Sequence, residues 1–182
     1  ALALRVDASL EGALGASVDI NTVINRHNAG HLDLTVRSVT RAFPFVRHFV
    51  WNNIDPSIGH ARKHPDTRAR LSHFELSLAR AMAFLDGAGC PFRVERVPLC
   101  YMAEFAHCST ETRKIIKEEE RIVHFLDDKG TVRQTDFSHG KAEVCRQCTL
   151  EPICAGLFDP GGWYDPAELH ALFLPVEPII KK

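Results

Sequence analysis

The apolar positions change period along the chain. Ser17 to Ile24, Ser-Val-Asp-Ile-Asn-Thr-Val-Ile, is short and β-branched and predicts a strand. A polar loop from Asn25 to Gly30 follows. Between Leu32 and Phe43 apolar side chains recur at Leu32, Leu34, Val36 and Val39, which predicts a helix packing one face and ended by Pro44. Phe45 to Trp51 is apolar apart from Arg47 and His48 and predicts a second strand, with Asn52 to Ser57 as the loop after it. Ile58 to Thr67 is rich in His, Arg and Lys and predicts a surface loop. From Arg70 to Gly87, Leu71, Phe74, Leu78, Met82 and Leu85 fall at three- and four-residue steps, the clearest helix of the chain, with Gly87 as its stop. A helix end over Asp7 to Ala16, carrying Leu10 and Leu14, is expected before the first strand.

Strand, loop, helix, strand is the order of βαβ units and of a parallel sheet. Both early strands end among asparagines: Asn21, Asn25 and Asn28 at the first, Asn52 and Asn53 at the second. Ligands gather at the carboxyl ends of parallel strands. Asparagine is also a good turn former, so both roles stay open for these residues.

Beyond Gly87 to Pro91 the composition shifts, dividing the chain into 1–89 and 90–182. Phe92 to Val97 alternates apolar and charged, so one face of this third strand is expected to be wet, unlike the two before it. It leads into Leu99-Cys100-Tyr101-Met102. Ser109 to Glu120 predicts a helix, and Arg121 to Leu126 with Thr131 to Gln134 predicts a β-hairpin turning at Asp127-Asp128-Lys129-Gly130. Asp165-Pro166-Ala167-Glu168 opens a short helix, with Asp165 as cap and Pro166 in first position.

The candidate chemistry lies in the cysteines. Cys145-Arg-Gln-Cys148 is CxxC, and Cys154 follows after five residues. Two Cys spaced by two bind one metal centre from a single turn, and Ala155-Gly156 gives the backbone room to pass close by. Cys100 is the first candidate for a fourth ligand and Cys108 its rival, while Cys90, beside Gly89 and Pro91, reads as inert. Asp136, His139 and Glu143 flank the cluster and could substitute, though solvated side chains are the plainer reading. Thiolates alone do not separate iron–sulfur from zinc.

The bulk numbers remove several classes. A formal net charge of -1 over 182 residues gives no basic field for nucleic acid. No apolar run reaches the length of a bilayer span, so no membrane partner is expected. The opening Ala-Leu-Ala-Leu-Arg-Val-Asp is not a signal peptide, which points to cysteines kept as thiolates in a reducing, cytoplasmic compartment.

With the cysteine spacing in place, the chain resembles the C-terminal half of a radical S-adenosylmethionine enzyme with an auxiliary iron–sulfur domain of the SPASM or twitch type. The resemblance implies an α/β fold: the C-terminal part of a (βα)6 partial TIM-like barrel, followed by a small α+β hairpin-containing domain that binds a 4Fe-4S cluster. Cys145, Cys148 and Cys154 match CxxC, five residues, Cys. A further Cys is expected three residues on, and here that position is Phe158, which favours the shorter twitch-like form. Cys100 lies where that form's upstream ligand belongs. Asn21, Asn25 and Asn53 fall at strand tips that contact S-adenosylmethionine in the family. The implied activity is reductive cleavage of S-adenosylmethionine to a 5′-deoxyadenosyl radical that abstracts hydrogen from a peptide, protein or cofactor precursor. The implied electron donor is a flavodoxin or ferredoxin. The family's CxxxCxxC motif does not occur in these residues, so the chain alone is not expected to perform radical chemistry. A zinc-stabilised, non-catalytic interaction module and an inactive remnant are the alternatives.

Overall fold

The computed structural model describes residues 17–57, 59–124, 130–159 and 162–181. The expected helix end over Asp7 to Ala16 lies outside them. Strands β1 (Val18–Ile24), β2 (Val46–Asn53) and β3 (Phe92–Glu95) form one parallel sheet in the order β1-β2-β3. Helix α1 (Leu32–Ala42) connects the first pair and α3 (Leu71–Gly87) leads to the third strand. The fold is therefore mixed α/β, and among the described residues the sheet stays open, with three strands.

The expected periodicities account for most of this layer. Leu71, Phe74, Leu78, Met82 and Leu85 of α3 are all buried, as are Leu32 and Val36 of α1. They join Ile24, Phe49, Trp51, Phe92 and Val94 of the sheet in one core, where the Trp51 and Phe92 rings meet edge to face at 5.8 Å. Leu34 departs from the expectation: two positions from Leu32 it has turned round the helix, and it is 59% exposed. The Ser77 hydroxyl of α3 donates to the Ala29 carbonyl and ties the layers together.

The first two strands were expected to be covered on both faces, and the structure corrects this. β1 and β2 alternate as β3 does, because α1 and α3 cover one face only. The other face carries Asp19 beside His48 at 3.6 Å, and Asn52 donating to Asn21 at 2.8 Å. Parallel sheets are normally covered on both sides, so a polar second face is unusual.

The segment read as a surface loop also differs. It contains helix α2 (Gly59–Lys63) and a 3-10 turn over Pro65–Thr67, with the His60 and His64 rings stacked at 4.0 Å. Their four-residue spacing places both on one helical face.

β3 lies beyond the Gly87 to Pro91 composition break yet pairs with β2, so the core is continuous across that break. Helix α4 (Thr110–Ile116) follows, capped by the Ser109 hydroxyl on the Thr112 N–H. The predicted hairpin is present as antiparallel β4 (Arg121–His124) and β5 (Thr131–Gln134). Asp165 caps a 3-10 turn over Pro166–Glu168 with a full capping box, and the last helix is α5 (Glu177–Ile180). No helix among the described residues is long and apolar enough to cross a membrane.

Candidate metal centre

Cys100 sits in a 3-10 turn, Leu99–Tyr101, a few residues past the end of β3 and immediately after Pro98. It therefore lies off the carboxyl end of the parallel sheet, where such folds place ligands. The other three thiols come from a run of tight turns. The N–H of Cys145 donates to Ala142, Cys148 to Cys145, Glu151 to Cys148 and Cys154 to Glu151, each bond reaching back three residues. The 3-10 turns are short, Glu143–Gln147 and Glu151–Ile153, and Cys148 and Cys154 each stand in extended backbone at the end of one.

These four thiols line a single pocket, and its walls also include Leu99, Leu169 and His170. The free space between them is small, about 20 Å³. The remaining cysteines sort elsewhere: Cys90 and Cys108 line a separate depression beside Pro91.

Backbone N–H groups point at the sulfurs. The Leu172 N–H lies 3.3 Å from Cys148 Sγ. The His170 N–H acts on Cys100, and those of Leu99 and Gly156 act on Cys154. Such donors favour the thiolate that a metal needs, while burial opposes it. Burial wins in the free thiols: it pushes Cys100 up to about 12 and raises Cys154 above the usual thiol range. The tail that supplies His170 and Leu172 is fastened by Thr149, whose N–H donates to Leu172 at 2.9 Å and whose hydroxyl donates to Leu174 at 2.7 Å.

Gly156 has φ of +90°, and a Cβ there would run into the Gly140 carbonyl oxygen. The Gly140–Leu157 bridge brings these two backbones together. Lys141 and Glu151 also line the pocket, joined at 2.7 Å, with the Lys141 ammonium on the Glu151 carbonyl as well.

The flanking candidates have other partners. Asp136 accepts the Ser138 N–H at 2.7 Å, Glu143 pairs with Arg146 at 2.8 Å, and the His139 ring packs edge-on against Phe158 at 4.9 Å. Of the asparagines, Asn53 is fully buried and shares two hydrogen bonds with the Tyr164 hydroxyl. Asn25 forms a turn, accepting the His27 N–H at 2.9 Å and donating to Val23 at 3.0 Å. Asn21 lies on the open sheet face with Asn52, so the three do not converge.

The backbone donors at His170 and Leu172, and the Lys141–Glu151 pair, were not legible in the sequence. A backbone N–H leaves no mark in residue type. Among the described residues no group of three or more His, Cys, Asp or Glu is arranged to hold a single metal ion. No protein-family model, curated protein or solved structure matches the chain.

Proposed function

We propose that the chain forms part of a radical S-adenosylmethionine oxidoreductase or maturase, and that Cys100, Cys145, Cys148 and Cys154 are the ligands of its auxiliary 4Fe-4S cluster. The observation that carries the reading is the meeting of these four thiols in one pocket, across a sequence gap that runs from Cys100 to Cys145. The fit rests on the donor set: soft ligands and N–H groups directed at sulfur, with Lys141, Glu151 and His170 as the charged or titratable side chains beside them. When bound, a cluster with four thiolate ligands supplies electron transfer. This chain's residues would hold it, exclude water from it and orient its thiolates through the tail at His170 to Leu172.

The open, polar sheet face is consistent with the last strands of a partial barrel, in which that face would look inward. Asn21 is then the asparagine placed to meet S-adenosylmethionine, whereas Asn53 serves the fold by holding Tyr164. The substrate would be a peptide, protein or small cofactor precursor, and the electron donor a flavodoxin or ferredoxin.

A single structural zinc ion is the second reading, favoured by the small volume between the thiols, about 20 Å³. Against it, a tetrahedral zinc with Zn–S bonds of about 2.3 Å needs its sulfurs roughly 3.8 Å apart. Among the described residues no group of three or more His, Cys, Asp or Glu is arranged to hold one metal ion. Each thiolate of a four-iron cluster binds a different iron.

The test is anaerobic purification followed by iron, sulfide and zinc analysis and a visible spectrum. Four irons and four sulfides per chain with broad absorption near ~400 nm support the cluster. One zinc and no colour support the module. A chain that takes up neither ends both readings.

A further inference from the structure

We propose a second binding site, for the phosphate group of a phosphorylated small molecule, in the cavity between β3, α4 and α5. This site is independent of the thiol centre. The cavity holds about 210 Å³, and its lining includes Arg93 of β3, Arg113 of α4, Lys117 at the end of that helix, and His107. Among the described residues no Asp or Glu lines it. None of Arg93, Arg113 and Lys117 has a carboxylate within 4.0 Å among the described residues. Glu95 and Glu119 line only the adjoining open depression, which shares Arg93 and Arg113.

Three permanent cations around one small space repel one another, and a bound anion removes that cost. A second observation points the same way. Thr112 lines the cavity and is 1% exposed, and its hydroxyl is buried without a hydrogen-bond partner. Buried hydroxyls are normally satisfied, so this donor lacks an acceptor.

The charge and shape select the ligand class. A carboxylate has one charge and two oxygens in a plane. A phosphate monoester approaches two charges and presents three oxygens in different directions, matching cations that arrive from a strand, a helix and a helix end. The lining also includes Ile116, Ile179 and Ile180, and Ile180 is 49% exposed. An organic group attached to the phosphate would cover it.

The experiment titrates the full chain with phenyl phosphate, inorganic phosphate and benzoate by calorimetry at low ionic strength. We expect saturable one-site binding, with phenyl phosphate tighter than inorganic phosphate and benzoate at least tenfold weaker than phenyl phosphate. Arg113 and Lys117 are exposed, so the double variant R113Q/K117Q should fold normally and weaken phenyl phosphate at least tenfold. A control, R62Q/K63Q, should leave affinity unchanged. Thr112→Val should weaken binding severalfold while raising the melting temperature of the ligand-free chain, a combination that a merely structural threonine would not give. The proposal is overturned by an absence of saturation with both phosphates, by benzoate binding as well as phenyl phosphate, by equal losses in R113Q/K117Q and R62Q/K63Q, or by wild-type affinity in R113Q/K117Q.

Discussion

The carboxylate of Glu168 accepts the backbone N–H of Leu71 at 3.0 Å, so the long helix α3 takes its N-terminal cap from a residue 97 positions away. Its own N-cap position, Arg70, supplies no side-chain acceptor, and its first turn has no acidic residue. Glu168 also closes the capping box with Asp165 and pairs with Arg70 at 2.8 Å, while its carbonyl accepts the Tyr101 hydroxyl at 2.6 Å. One residue thus fastens the cysteine-bearing segment to the α/β layer.

Replacing Glu168 with Ala should therefore lower stability by about 2 kcal/mol, since it strips a helix cap and leaves its N–H groups without an acceptor. Glu168→Gln keeps an acceptor oxygen and should lose less. Arg70→Ala should lose much less than Glu168→Ala, because that arginine is largely exposed. Denaturant melts of the three variants check this. A larger loss in the arginine variant than in Glu168→Ala would show that the ion pair, not the cap, does the fastening.

The thiol centre makes a sharper demand. Cys148→Ala should abolish bound metal and lower the melting temperature of the loaded chain, because metal binding is coupled to folding. Cys108→Ala should leave the metal content unchanged, since Cys108 lines a different depression with Cys90. Metal analysis of Cys108→Ala beside Cys100→Ala decides between the two: loss in the Cys108 variant would move the fourth ligand there.

What the residues revealed in advance, and what they hid, follows from how local each feature is. The helix over Leu71–Gly87 and the strand at Phe92–Glu95 are written in short-range periodicity, and both formed as read. So did the turn at Asp165-Pro166, whose cap is local chemistry. The grouping of Cys145, Cys148 and Cys154 was legible because CxxC, five residues, Cys is a ligand spacing, and all three line one pocket. The long-range relationships were not. Nothing around Leu71 marks it as capped by Glu168, and nothing near Asn53 announces Tyr164 as its partner. The coverage of β1 and β2 was misjudged for the same reason: an apolar run does not say how many layers will pack against it.

The metal-free thiols should leave a mark on alkaline stability. The folded-state value of Cys100, about 12, lies above the ordinary thiol value of 9.0, because burial disfavours the thiolate. A raised value means that the protonated form is the stabilising one. Its contribution is complete below about pH 9 and is lost as pH climbs from 9 towards 12. Tyr101, raised from 10.0 to about 12, acts in the same direction over a slightly higher window. The melting temperature of the metal-free chain should fall more steeply above pH 9 than that of Cys100→Ser, which has no thiol to ionise. Parallel curves for the two would remove Cys100 as the cause. Metal uptake should show the opposite trend and strengthen with pH, since binding releases the same protons.

Glu111 offers a test in which charge and hydrogen bonding separate. Its carboxyl is buried in α4 and accepts the Arg96 backbone N–H at 3.1 Å. Arg96 stands at φ of +59°, a left-handed conformation that costs about 1 kcal/mol or more in a residue other than glycine. The Glu111 bond holds that bend, from which the chain turns towards Cys100. Burial raises the Glu111 carboxyl above the ordinary value of 4.5, so ionisation at neutral pH costs stability. Glu111→Gln keeps the acceptor for Arg96 and removes the buried charge. It should raise the melting temperature at pH 7 and make no gain near pH 4, where the native carboxyl is already protonated. Glu111→Ala leaves the Arg96 N–H without its partner and should lower stability by about 1–3 kcal/mol at both pH values. If the glutamine variant is as unstable as the alanine variant, the carboxylate charge itself is what the bend requires, and the role assigned to burial is wrong.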